Sequence, residues 1–295
     1  MSEPKPSPLL QVGVRESRHP GLAGAAPSHA SAFSPNSPET GRSLAPFRVG
    51  SVPYLNAVPL TYGLEDQILF APPSTLAQML QRDELDAALV SVTEVLFHDR
   101  YEVLDGVAVA SLGEVKSVFL AHRGPIEEAR EIFCDTASLT SVSLLRVLLG
   151  ERGVRPKFKP LPSYERATMP DYALLIGDPA IDFLRGAHAH RIWDLGAAWL
   201  ELTGLPFVYA VWALRRNLES QELRRVLREA KAFGLETLDH IISTRSEYDF
   251  EFRKDYLGRH IQYHLGADEK RGLAKFSELL RRHGSAAVYD PRFVA

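Results

Sequence analysis

The 295-residue sequence has a single cysteine, Cys134, so no disulfide can form within the chain. Cys134 lies in the apolar stretch 131–134, where a buried, inert thiol is expected and no neighbour would activate it. Cysteine and histidine never cluster at zinc spacing. His188 and His190 are two apart, which separates them on a strand and aligns them poorly on a helix. An excess of charge of either sign is also missing. Lys and Arg number 34 against 37 Asp and Glu, for a net charge of -3, so a nucleic-acid partner is not expected. Arg215-Arg216 and Arg281-Arg282 read as solvated helix faces. No apolar run is long enough to span a bilayer, and no apolar segment follows a basic start as in a secretory leader. No membrane partner is expected, and the expected compartment is the cytoplasm. GxGxxG, P-loop, GxSxG and HExxH motifs are absent, which leaves nucleotide, serine-hydrolase and zinc-protease readings without support. Oligomeric state is not legible.

What is present is an ordinary globular composition, with 45% hydrophobic and 24% charged residues. Residues 1–45 are rich in Pro, Ser, Ala and Gly and read as a disordered tail. From residue 46 onward, strand-like and helix-like segments alternate. The run 86–91 is short and apolar without alternation, as in a strand buried on both faces. Residues 73–80 place Leu76, Met79 and Leu80 on one helical face, and 139–150 form a helix ended by Gly150. Residues 172–176 and 205–214 read as strands, and helical periodicity covers 222–242 and 268–282. Alternation of this kind predicts an α/β protein with mostly parallel sheets, whose ligands bind at the carboxyl ends of strands.

Four strand-to-loop junctions carry polar residues that suit such a site. Residues 50–56 present Ser51, Tyr54 and Asn56; Asn56 either caps a helix or reaches a ligand with its amide. Residues 91–94 present Ser91 and Glu94, spaced as a capping box or, alternatively, with Ser91 on a ligand oxygen. Residues 135–141 end a strand and open a helix. The backbone N–H groups there, with Thr140 and Ser141, suit a carboxylate, while plain capping by Ser138 is the structural alternative. In 176–179, Gly177 permits close backbone approach, and Asp178 either caps a helix or accepts a substrate hydroxyl. The aromatics of 194–207 read as core or hinge packing.

In this order, the blocks 49–60, 86–94, 113–118, 140–141, 176–180 and 194–207 resemble the chorismate dehydratases of the futalosine route to menaquinone. No single block is specific; the ordered set, spread over about 46–215, is. The resemblance implies a two-lobed, type II periplasmic-binding-protein-like fold with helix-flanked sheets. The first lobe is expected from 46–121 and 210–295, the second from 122–209. It further implies conversion of chorismate to 3-[(1-carboxyvinyl)oxy]benzoate and water, a hydro-lyase reaction without cofactor or metal. Asn56, Ser91, Glu94 and Asp178 are the candidate catalytic residues. Ser51, Tyr54, Ser111, Ser117, Thr140, Ser141 and Gly177 are the candidate substrate-binding residues. The competing readings are a sister enzyme acting on cyclic dehypoxanthine futalosine and a non-catalytic solute-binding protein for a small organic acid.

No histidine lies in the matching blocks, so an obvious general base is missing. The substrate's own enolpyruvyl carboxylate, Glu94 and Asp178 remain the candidates.

Overall fold

The computed structural model describes residues 42–284 and 286–295. In chain order the strands are β1 (Val49–Ser51), β2 (Ile68–Phe70), β3 (Ala87–Ser91), β4 (Tyr101–Ser111), β5 (Val118–His122), β6 (Glu131–Cys134), β7 (Lys157–Pro160), β8 (Tyr172–Ile176), β9 (Arg191–Asp194), β10 (Phe207–Arg215) and β11 (Phe293–Val294). The helices are α1 (Val58–Thr61), α2 (Pro73–Gln81), α3 (Val92–Phe97), α4 (Leu139–Glu151), α5 (Gly177–Arg185), α6 (Leu195–Thr203), α7 (Gln221–Glu236), α8 (Leu238–Thr244), α9 (Phe250–Asp255) and α10 (Ala267–His283).

Two sheets result. The first runs β11-β4-β10-β3-β1-β2 and the second β7-β6-β8-β5-β9. Both are mixed. Parallel pairings outnumber antiparallel ones by only five to four, because β10 runs antiparallel to β3 and β4 in the first sheet and β5 antiparallel to β8 and β9 in the second. The chain crosses from the first sheet to the second after β4 and returns through α6 into β10. Residues 42–295 form one compact unit. Its main core cluster includes buried residues of both sheets, and a smaller one around Phe119, Leu175 and Phe183 belongs to the second sheet.

Local chemistry explains the elements near the cleft. Pro73 opens α2, where its missing N–H costs nothing, and Leu76 and Leu80 bury the inner face. Gly50 lets α2 sit directly on β1, since a Cβ there would lie 2.6 Å from Leu76. Trp199 of α6 meets Phe207 and Phe276 edge-on and donates its indole N–H to the Pro206 carbonyl at 3.1 Å, so the apolar ring is buried without an unpaired donor.

The continuous helix expected over 222–242 is divided at Thr237. Its hydroxyl donates to the Phe233 carbonyl at 2.7 Å, a back-bond that competes with the helical ladder. The tail expected at 1–45 lies outside the described residues as far as 41. Within its last four residues, Leu44 is buried and donates its N–H to Gln67, because its apolar side chain has a place in the core. Among the described residues no helix is long and apolar enough to cross a membrane.

Candidate active site

A cleft with about 620 Å³ of empty space, its open mouth included, lies where the carboxyl ends of β1, β3 and β8 meet the amino end of β5. Leu89, Val90, Val109, Val118 and Ile176 give it apolar walls. Its polar lining is Tyr54, Asn56, Ser91, Ser117, Ser138, Ser141 and Tyr209, with Gly177 at the rim of β8. None of the described residues lining it is charged. An apolar slot with a few converging polar groups is the usual form of a small-molecule site.

Asn56 lies inside a short 3-10 turn, Leu55–Ala57, whose cap is Tyr54, and the following α1 is preceded by Ala57. Its amide caps neither helix and is available to the cleft. Tyr54 packs over Gly177, whose φ of +63° is a left-handed conformation open to glycine; a Cβ there would meet the tyrosine ring at 3.6 Å. Gly177 also donates its N–H to the Ser117 carbonyl at 2.8 Å. Burial, with Asp135 and Asp178 nearby, pushes the Tyr54 phenol up to about 12. It therefore faces the cleft as a neutral hydroxyl.

Ser138 is the hub of a hydroxyl cluster. Its Oγ lies 3.1 Å from Ser91 Oγ and 3.4 Å from Ser141 Oγ, and it accepts the Ser141 N–H at 3.5 Å as the N-cap of α4. The first turn of α4 leaves backbone N–H groups without intrahelical partners, so the cluster sits where an anion is favoured. The spacing of Ser91 and Glu94 suggested a capping box, but the Ser91 side chain makes no cap bond to α3. It turns instead to Ser138, and Glu94 is drawn elsewhere.

Several sequence-identified residues lie just behind the lining. Glu94 accepts from Gln81 at 3.0 Å and Tyr101 at 3.1 Å and pairs with His98 at 3.2 Å. Burial opposes its charge, but these partners hold its carboxyl below the usual range. Thr140 is fully buried and accepts the Thr93 N–H at 3.1 Å, its hydroxyl 3.0 Å from Thr93 Oγ1. Ser111 bonds Tyr209 at 3.2 Å and the Gly113 carbonyl at 3.0 Å. Ser51 is fully buried on β1 and its hydroxyl has no partner. Asp178 lies in the first turn of α5, and burial pushes its carboxyl up to about 6. Cys134 is buried, and burial pushes its thiol up to about 12, in keeping with an inert role.

Ser138, Tyr209 and the apolar walls were not among the sequence-derived site residues. Ser138 had a signal, since it shares the hydroxyl-rich segment 135–141. Tyr209 had only its place on the strand read at 205–214. A neighbouring depression shares Val52 and Tyr54 with the cleft and includes Arg245, which is paired with Glu247. No group of three metal-ligating side chains comes together among the described residues.

The family model described as menaquinone biosynthesis matches residues 47–282. The chain belongs to the menaquinone-biosynthesis family. Within it, the chain is 34% identical over 268 residues to a chorismate dehydratase of Thermus thermophilus, covering 80% of this chain and 96% of that protein. It is 26% identical over 227 residues to a chorismate dehydratase of Campylobacter jejuni, covering 76% and 88%. Among solved structures, a protein from Archaeoglobus fulgidus aligns with a TM-score of 0.64 at 21% identity, over 81% of this chain and 97% of that one. The periplasmic aliphatic sulphonate binding protein of Escherichia coli aligns with a TM-score of 0.54 at 14% identity, over 84% and 93%. This member of the menaquinone-biosynthesis family therefore has the periplasmic-binding-protein-like fold that its sequence implied.

Proposed function

We propose that this chain is a hydro-lyase that converts chorismate to 3-[(1-carboxyvinyl)oxy]benzoate and water. The observation that carries the reading is the cleft itself: an apolar slot ringed by neutral hydroxyl and amide groups, with Ser138 and Ser141 at the start of α4 in its lining. Chorismate presents an apolar ring face, two carboxylates, a hydroxyl and an ether. Its match in chemistry to this lining, and the kinship with two chorismate dehydratases, support the assignment.

The difficult step is removal of hydrogen from the ring carbon that bears the ether. The ring carboxylate makes that hydrogen vinylogously acidic, so donors that hold the carboxylate also stabilise the dienolate. Ser138, Ser141 and the α4 N-terminus take this role. Asn56, Ser91 and Ser117 orient the ring and the leaving hydroxyl, and Tyr54, packed over Gly177, forms one wall against the ring.

No described carboxylate lines the cleft, Glu94 is held by three partners and Asp178 lies behind the Asn56 turn. The base is the substrate's own enolpyruvyl carboxylate. It takes the hydrogen, the C–H electrons enter the ring, and the C–O bond to the hydroxyl breaks. The proton then leaves with that hydroxyl as water, which restores the carboxylate. Two lobes, 46–121 with 210–295 and 122–209, close over the substrate and exclude solvent.

The test is incubation of the purified protein with chorismate, followed by mass and ultraviolet spectra. Formation of an aromatic product lighter by one water supports the assignment. Binding without turnover points to a solute-binding protein, and turnover only of cyclic dehypoxanthine futalosine points to the sister activity.

A further inference from the structure

Helix α9 does not end in a simple cap but widens into a π-helical turn, Tyr256–His260. Such turns insert an extra residue into the helical ladder and recur at functional sites. This one grips the crossover between the two sheets by three bonds. His260 Nδ1 lies 2.7 Å from the Glu114 carbonyl, Lys116 Nζ lies 2.6 Å from Asp255, and the Tyr256 hydroxyl donates to Ser117 Oγ at 2.8 Å. Asp194 holds the same crossover from the other side, accepting the N–H groups of Val115 and Lys116 at 3.1 and 2.8 Å.

Tyr256 differs from the other two clamps because it is fully buried and touches a lining residue directly. Its ring stacks on Phe252 at 5.4 Å, and its hydroxyl donates to Ser117, which lines the cleft. A serine whose lone pair is taken by a phenol keeps its own hydrogen. The alternative acceptor for that hydrogen, the Val115 carbonyl, is distant at 3.4 Å.

We propose that Tyr256 is a positioning residue: its phenol bridges to Ser117 and holds that hydroxyl toward the bound ring. This rests on the chorismate reading above and adds to it a residue from the C-terminal helical region, outside the blocks of 49–207 that carried the resemblance.

Tyr256→Phe keeps the ring and removes the bridge. The expected result is a kcat lowered about tenfold, the scale of one buried hydrogen bond, with KM changed by less than about twofold. In the pair Tyr256→Phe with Ser117→Ala, the combined loss should equal that of the larger single variant, because both break the same bridge. Thermal unfolding is recorded for each, and kcat is repeated well below every midpoint. Wild-type kcat in Tyr256→Phe, additive losses, or a loss that vanishes at the lower temperature would each overturn the proposal. Should Tyr256→Phe fail to fold, a crystal structure of the wild type with its product decides. The bridge must persist with Ser117 on the ligand; Ser117 turned away from Tyr256 overturns it. Absence of turnover in the wild type would instead sink the chorismate reading.

Discussion

Replacing Gly196 with alanine puts the packing of the cleft under direct strain. Gly196 lies in the first turn of α6, where a Cβ would sit 2.3 Å from the Gly113 carbonyl oxygen and 2.8 Å from both Ser111 Oγ and Tyr209 Oη. Real Cβ contacts do not fall below 3.0 Å, so either α6 or the crossover must yield. The closest atom belongs to the backbone, and cannot rotate away. Overpacking of this kind costs about 1–3 kcal/mol. For a folded body of this size that lowers the thermal midpoint by roughly 2–6 °C. The displaced groups are functional as well as structural. Tyr209 lines the cleft, and Asp194, the N-cap of α6, holds Val115 and Lys116 beside Ser117. Turnover of chorismate should therefore fall by about tenfold or more even at temperatures where the variant is folded. Scanning calorimetry and steady-state kinetics on Gly196→Ala read both quantities. A variant with the wild-type midpoint and wild-type kcat would refute the packing argument.

Thr140→Val removes the acceptor of the buried Thr93 N–H and should lower stability by about 1–3 kcal/mol in a denaturant titration while KM for chorismate stays close to wild type. Asp178 has a folded-state pKa of about 6, above the ordinary carboxylate value, so its contribution to stability is full below about pH 4 and is lost as pH rises through 6. Asp178→Asn, which keeps the shape of the side chain without its charge, should raise the thermal midpoint at pH 7–8, lose that advantage below about pH 4, and retain turnover. Loss of turnover by more than about 100-fold would instead mark Asp178 as the base. The hydrogen bond to Glu94 raises the His98 pKa, so this pair stabilises the fold below about pH 6.5 and fades as pH rises through the raised value. The midpoint difference between wild type and His98→Asn should shrink accordingly from pH 6 to pH 9.

The junctions were legible in the sequence because each couples a strand signal to a polar turn. Asn56, Ser91, Ser117, Ser141 and Gly177 all reach the cleft, and every one follows or precedes an apolar strand within a few residues. Which side chain of a junction faces the ligand was not legible. Thr140 and Ser141 are adjacent in a hydroxyl-rich segment, yet helical geometry turns Thr140 into the contact with α3 and Ser141 into the cleft. Glu94 had the spacing of a capping residue, but Gln81, His98 and Tyr101 converge on it only after folding. Tyr256 reaches Ser117 across 139 residues of chain, through a π turn that no periodicity announces. The balance of parallel and antiparallel pairing was also hidden, since an apolar strand reads alike in either direction.

A crystal structure of the protein with its reaction product tests the central claim most directly. The aromatic ring should lie in the apolar slot against Tyr54, Leu89, Val109 and Ile176, with one carboxylate on Ser138, Ser141 and the first turn of α4, and with Asn56 and Ser117 on the ether side. Product bound instead in the depression around Tyr164 and Arg166, or with its carboxylates away from the α4 N-terminus, would contradict it.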